Sequence, residues 1–127
     1  MAKVFLGGTC NESIWRNLLI PRLTCTYFNP VVEDWTPECI EKEYEEKSMA
    51  EYELYVFTPE MTGCFAAVEL IDAANNHPNE TLFAIIGDWS DKASQMRSIE
   101  AVAELAEKRG ATRFYSLIEI ADFLNNN

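Results

Sequence analysis

At 127 residues the chain is long enough for one domain around one core, and a hydrophobic content of 48% excludes a disordered or fibrous polymer. A formal charge of −11, from 21 acids against 10 bases, excludes a nucleic-acid polymer as partner, because binding one depends on lysine and arginine displacing counterions. No apolar run reaches the roughly 20 residues of a membrane span, and VFLGG after Met1-Ala2-Lys3 is too short for a signal-peptide core, so a soluble, cytoplasmic protein without a membrane partner is expected.

In chain order, KVFLGG (residues 3–8) reads as a short buried strand. A helix is expected from Asn11 or Ser13 to Leu19, stopping before Pro21. TCTYF (residues 24–28) reads as the second strand and ends at Asn29-Pro30. Thr36 as N-cap, Pro37 at the first helical position and Glu38 in the first turn open a helix over 37–52. That helix is very acidic and reads as a solvated outer face. ELYVFT (53–58) is the third strand, residues 63–75 the third helix, and TLFAII (81–86) the fourth strand. A long helix covers about 90–109, with Gly110 as its C-cap. ATRFYS (111–116) is a short fifth strand. Ser116 and Glu119 have capping-box spacing and open a last helix to Leu124, after which residues 125–127 fray.

Strands alternating with helices imply a five-stranded parallel sheet between two helical layers, a Rossmann-like three-layer α/β sandwich forming a single domain over 1–127. Ligands in such folds bind beyond the carboxyl ends of the strands, where strand order reverses. The residues that follow the strands are therefore the candidates: 7–11, 29–35, 58–69 and 87–89. Cys10, Cys25, Cys39 and Cys64 are scattered without a C-x-x-C pair and read as free thiols of a reducing compartment. With His77 as the sole histidine, in a polar Asn-Asn-His-Pro loop, no metal site is expected.

Gly7-Gly8-Thr9 allows a sharp turn and close approach of a ligand to the backbone, although neither G-x-G-x-x-G nor the P-loop pattern is present. Asp34-Trp35 after the second strand and Asp88-Trp89 after the fourth set an acid beside a flat ring. That pairing suits a planar ligand such as a nucleobase, while the plainer alternative makes the tryptophans plugs and Asp88 a cap near Ser90. Within TPEMTGCFAAVELIDA (58–73), Phe65, Val68 and one of Ala67 or Ile71 are expected to face the sheet. Glu69 shares a face with Phe65, Ala66, Asp72 and Ala73. A carboxylate there is either a half-sunk functional acid or an exposed glutamate, and spacing alone leaves both open.

VFLGGTCN, FNP followed by EDW, LYVFTPEMTG and AAVELIDA together resemble the nucleoside 2-deoxyribosyltransferase-like family over nearly the whole chain. The resemblance implies a flavodoxin-like fold, no cofactor, and a small-molecule nucleoside or nucleotide as partner. It further implies cleavage of the N-glycosidic bond of a 2-deoxyribonucleoside by a glutamate nucleophile, with transfer of the sugar to another base or to water. Val68-Glu69-Leu70 matches the segment bearing the nucleophile, so Glu69 takes that role. Asp34, Asp88 or Glu60 would hold and protonate the base. Gly7, Gly8, Thr9, Asn11, Asn29, Trp35 and Gly63 complete the implied site, and a homo-oligomer is implied because family members complete their sites from a neighbouring subunit. The chain departs from the family in three places. Gly63 stands where an aspartate precedes the nucleophile by six residues, Glu51 is the nearest acid to the start of the third strand, and Ile71-Asp72 replace a glycine and tyrosine. The alternative on the same fold is a nucleoside- or nucleotide-binding sensor without turnover. A flavin electron carrier is disfavoured by a first turn that lacks a phosphate loop, and a receiver domain by the absence of an acid pair after the first strand.

Overall fold

Five strands and five α-helices alternate along the chain in a computed structural model that describes residues 2–10, 12–32 and 36–127. They are β1 (Val4–Gly8), α1 (Trp15–Leu19), β2 (Tyr27–Phe28), α2 (Pro37–Met49), β3 (Tyr52–Phe57), α3 (Phe65–Asn76), β4 (Thr81–Ile85), α4 (Ala93–Arg109), β5 (Thr112–Phe114) and α5 (Leu117–Asn126). All strand pairs are parallel, in the order β2-β1-β3-β4-β5. The parallel pairing is what the alternation predicts, and the order is the flavodoxin-like doubly wound one that the resemblance implies.

The central strands are covered on both sides and therefore read as mainly apolar runs, broken in β3 by Glu53. Period two divides their side chains between the layers. Leu54, Val56, Leu82 and Ala84 pack with Val4 and Leu6 against Trp15 and Leu19 of α1 and Ile120 and Leu124 of α5. Tyr55, Phe57, Phe83 and Ile85 point the other way, onto Leu70, Ala73 and Ala74 of α3 and Ile99, Ala103 and Ala106 of α4. The register sets Leu6 beside Leu54 and Leu54 beside Leu82, so a row of leucines spans the three central strands. Among the described residues no helix is long and apolar enough to cross a membrane.

Several boundaries differ from those expected, each for a local reason. The second strand shrinks to two residues because the backbone of 24–26 finds other partners. Thr24 N–H donates to Asn125 Oδ1 at 2.8 Å, and Lys3 N–H reaches Thr26 O at 3.2 Å and Thr26 Oγ1 at 3.0 Å. Asn125 also donates from Nδ2 to Arg22 O at 2.8 Å, which holds α5 in helical form to Asn126 where fraying is expected. α1 ends at Leu19, before Pro21, as expected, but it begins at Trp15 and not at Asn11 or Ser13. Residues Ile20–Arg22 continue as a 3-10 turn with proline near its start, where no N–H is required. The fourth helix begins at Ala93 because Asp88 Oδ1 accepts from Ser90 N–H at 3.0 Å and folds 88–92 into a turn first. In α3 the sheet-facing residues are only partly those expected: Ala67 and Ile71 pack against the core, but Phe65 is 64% exposed and Val68 56%, and Leu70, Ala73 and Ala74 are buried instead. Small alanines beside Leu70 let the helix approach the sheet closely, and Phe65 and Val68 are turned away. At its two ends the last helix and α4 follow expectation, with Ser116 Oγ accepting from Glu119 N–H at 3.1 Å and Gly110 in the left-handed region at φ +107°.

Candidate functional site

From β1 the chain crosses to β2 on one side and returns to β3 on the other, so the strand order reverses between β1 and β3. A cleft of about 300 Å³ opens at their carboxyl ends. Gly7, Gly8, Thr9, Arg16, Glu43, Gly63 and Glu69 line it, together with apolar Phe5, Phe57, Met61 and Phe65.

The floor is made by the glycine turn. Gly8 has φ +110°, and a Cβ on Gly7 would lie 2.6 Å from Cε1 of Tyr55. Tyr55 is fully buried, and its hydroxyl donates to Glu53 Oε1 at 2.7 Å; the other oxygen of Glu53 meets His77 Nε2. Burial, with the charge of Glu53 next, pushes the Tyr55 phenol far above its ordinary range, so it acts as a fixed hydroxyl donor.

Behind the turn, α1 begins with Trp15 and Arg16, both almost wholly buried. Trp15 Nε1 donates to Thr9 O at 2.9 Å. The Arg16 guanidinium donates to Leu6 O from Nε at 3.0 Å and from Nη2 at 2.9 Å, and to Thr9 O from Nη1 at 2.7 Å. It also lies over the Trp15 ring at 4.3 Å. Burial lowers its pKa while the nearby Cys10 and Glu43 oppose that shift. Carbonyls at the end of a strand normally continue a ladder; here a planar fork of N–H groups satisfies them and fixes the turn. On the other rim Thr9 Oγ1 accepts from Thr58 N–H at 3.0 Å, and the Thr58 hydroxyl lies 2.8 Å from that of Ser13. The loops after β1 and β3 are thus joined.

Glu69 comes from the second turn of α3. Its side chain is 19% exposed, and Oε2 accepts from Lys47 Nζ of α2 at 2.8 Å. Glu43 stands one turn before Lys47 on α2 and lines the same cleft. Desolvation first, then the charge of Glu69, raises its pKa; Lys47 and Arg16 act against that rise. Among the described residues the cleft therefore holds two carboxyl groups in different surroundings, one tied to an ammonium and one pushed toward its protonated form. Such a pair can divide the work of nucleophile and acid between them.

Of the residues singled out by sequence, Gly7, Gly8, Thr9, Gly63 and Glu69 come together in the cleft. Asn11, Asp34 and Trp35 lie outside the described residues. Three others do not line the cleft. Asn29 Oδ1 accepts from Val31 N–H at 3.1 Å, Glu60 is exposed in the loop after β3, and Asp88 caps the turn at Ser90, which holds its carboxyl below the ordinary range. Trp89 is buried in the α3–α4 layer, with Nε1 donating to Ile86 O at 2.8 Å. Arg16, Glu43 and Lys47 went unnoticed in the sequence. The i, i+4 spacing of Glu43 and Lys47 was a signal that they share one face of α2, but in a helix with so many glutamates it does not stand out.

Residues 1–88 match the family described as nucleoside 2-deoxyribosyltransferase like, a span that runs from β1 to the residue before Trp89 and contains every residue of the cleft. No curated protein and no solved structure matches the chain.

Proposed function

The chain belongs to the nucleoside 2-deoxyribosyltransferase-like family, and from that premise we propose that it cleaves the N-glycosidic bond of a 2-deoxyribonucleoside, with Glu69 as nucleophile and Glu43 as the acid. One observation carries the reading: Glu69 lines a cleft at the reversal point of the sheet, above the Gly7-Gly8 turn, in company with a second carboxyl group.

The Glu69 carboxylate attacks C1′ of the sugar, and the electron pair of the C1′–N bond leaves with the base. Glu43 supplies the proton the base needs, so the leaving group departs neutral. Its raised pKa suits that role. In the second half, water or another base attacks C1′, Glu43 takes up the proton released, and Glu69 leaves as a carboxylate. Two displacements at one carbon retain configuration, as in retaining glycosidases. Phe5, Phe57 and Phe65 give the cleft apolar surface for a planar base, and the Gly7-Gly8 turn, packed on Tyr55 and Val56, is the floor on which the sugar would rest.

The test is release of free base from common 2-deoxyribonucleosides, followed by chromatography. Glu69→Ala and Glu69→Gln are expected to abolish release while circular dichroism stays that of the parent protein. Glu43→Gln is expected to slow release by about a hundredfold or more and to remove the alkaline limb of the pH profile, since a general acid loses its proton as pH rises. Undiminished release from the Glu69 variants removes that residue from the reaction. Tight nucleoside binding with no product from the parent protein would instead identify a binding module.

A further inference from the structure

Helix α2 carries two lysines with contrasting surroundings. Lys42 is 65% exposed and lies 3.7 Å from Glu46, an ordinary solvated pair. Lys47 is 20% exposed, although none of the residues of α2 is fully buried. Its ammonium lies 5.7 Å from the centroid of the Phe5 ring and 5.4 Å from that of Tyr44, both within cation–π range. It donates to Oε2 of Glu69 at 2.8 Å. Two rings and one carboxylate thus fix the end of a flexible stem. A lysine that only solvates an acidic helix needs none of these contacts.

We propose that Lys47 is a positioning residue for Glu69: it holds Oε2, leaves Oε1 as the attacking oxygen, and assists departure of the carboxylate from the glycosyl-enzyme. This rests on the reading of Glu69 as nucleophile. In the first half a lone pair of Oε1 forms the bond to C1′ as the C1′–N pair departs with the base, which takes the Glu43 proton. The ester that results keeps Oε2 as its carbonyl oxygen, still accepting from Lys47. In the second half water attacks C1′, its proton passes to the Glu43 carboxylate, and the C1′–Oε1 pair returns to Glu69. Negative charge fades at Glu69 in the first half and grows there in the second. A fixed ammonium therefore favours the second half and opposes the first, since only charge that develops toward it is stabilised in the transition state.

This asymmetry separates a positioning role from a structural one. Rapid-quench kinetics with a 2-deoxyribonucleoside would compare the parent protein with Lys47→Met, Lys47→Arg and Glu69→Ala, after circular dichroism of each. In Lys47→Met the expected result is a burst of free base approaching one per enzyme, then a steady rate lower than the parent's by about tenfold or more. Mass spectrometry should find the deoxyribosyl adduct accumulating on the peptide that contains Glu69. Lys47→Arg keeps the charge and is expected to restore much of the steady rate. Unchanged burst and steady rate in Lys47→Met, or equal slowing of both phases, overturns the proposal. If Lys47→Met does not fold, Lys47→Gln is read in the same way. Glu69→Ala separates the two levels: base release at the parent rate from that variant would overturn the nucleophile itself, whereas loss of release with no phase shift in the Lys47 variants overturns only the role of Lys47.

Discussion

Gly8 has φ +110°, and a Cβ built there would lie 2.1 Å from the carbonyl oxygen of Val56 and 2.5 Å from its nitrogen. Both contacts are with backbone of the neighbouring strand, so no side chain can move aside to relieve them. Gly8→Ala is expected to destabilise the fold by roughly 3 kcal/mol or more, combining left-handed strain with separation of β1 from β3. Gly63→Ala is the control, since a Cβ there meets nothing within 4 Å and should leave the denaturant midpoint almost unchanged. Equal midpoints for the two variants would mean that the glycine turn is not the rigid floor described above. That turn was legible in the sequence, because two glycines directly after an apolar run announce a sharp bend. Arg16 was not. Its value lies in carbonyls of Leu6 and Thr9 that only the folded chain brings within its reach, and no spacing along the sequence encodes such a meeting.

Between elements, α4 and β5 are joined by Arg113, which donates from Nη1 to Glu100 Oε2 at 2.9 Å and from Nη2 to Oε1 at 2.8 Å. This two-bond geometry is the favourable one for an arginine and a carboxylate. The hydrogen bonds from Arg113 hold the Glu100 carboxyl below its ordinary range. A carboxyl that ionises more easily when folded stabilises the fold at pH values above its unfolded pKa, and that contribution is lost as pH falls through the folded one. Glu100 is 39% exposed, so screening limits the effect. Glu100→Gln is expected to cost about 1 kcal/mol near neutral pH. The gap to the parent protein should close as urea titrations are repeated toward and below pH 4, a window set by the ordinary glutamate value of about 4.3. A gap that persists in acid would assign the loss to packing and not to the charge. The elements themselves could be read because their signals are local: buried runs for β1, β3 and β4, Gly110 after α4, Ser116 before α5. The second strand could not be read to its true length, since the groups that draw Thr24 away from the ladder sit on Asn125 at the other end of the chain. The sheet-facing side of α3 was legible only in part, for a related reason. Phe65–Val68 and Leu70–Ala73–Ala74 both fit a helical period, and only packing on the sheet selects between them.

At the scale of the whole molecule, a net charge of −11 sets the field that a substrate meets before it reaches the cleft. Among the described residues of the cleft, Glu43 and Glu69 are set against Arg16, and Lys47, outside the lining, pairs with Glu69. Those cations are also engaged: Arg16 donates to the carbonyls of β1 and its turn, and Lys47 to Glu69. The start of α3 at Phe65 adds about half a positive charge, small beside the near-dianion of a 5′-phosphate. The long-range field should therefore decide between a nucleoside and its 5′-monophosphate. In about 10 mM salt, where screening extends only beyond roughly 30 Å, kcat/KM is expected to favour the nucleoside by at least about tenfold. The ratio should fall toward unity above about 100 mM salt, where the screening length is near 10 Å. Steady-state assays of one deoxynucleoside and its monophosphate across that range provide the check. Preference for the monophosphate at low salt, weakening as salt is added, would mean that a local group binds the phosphate strongly enough to overcome the field of the acidic surface.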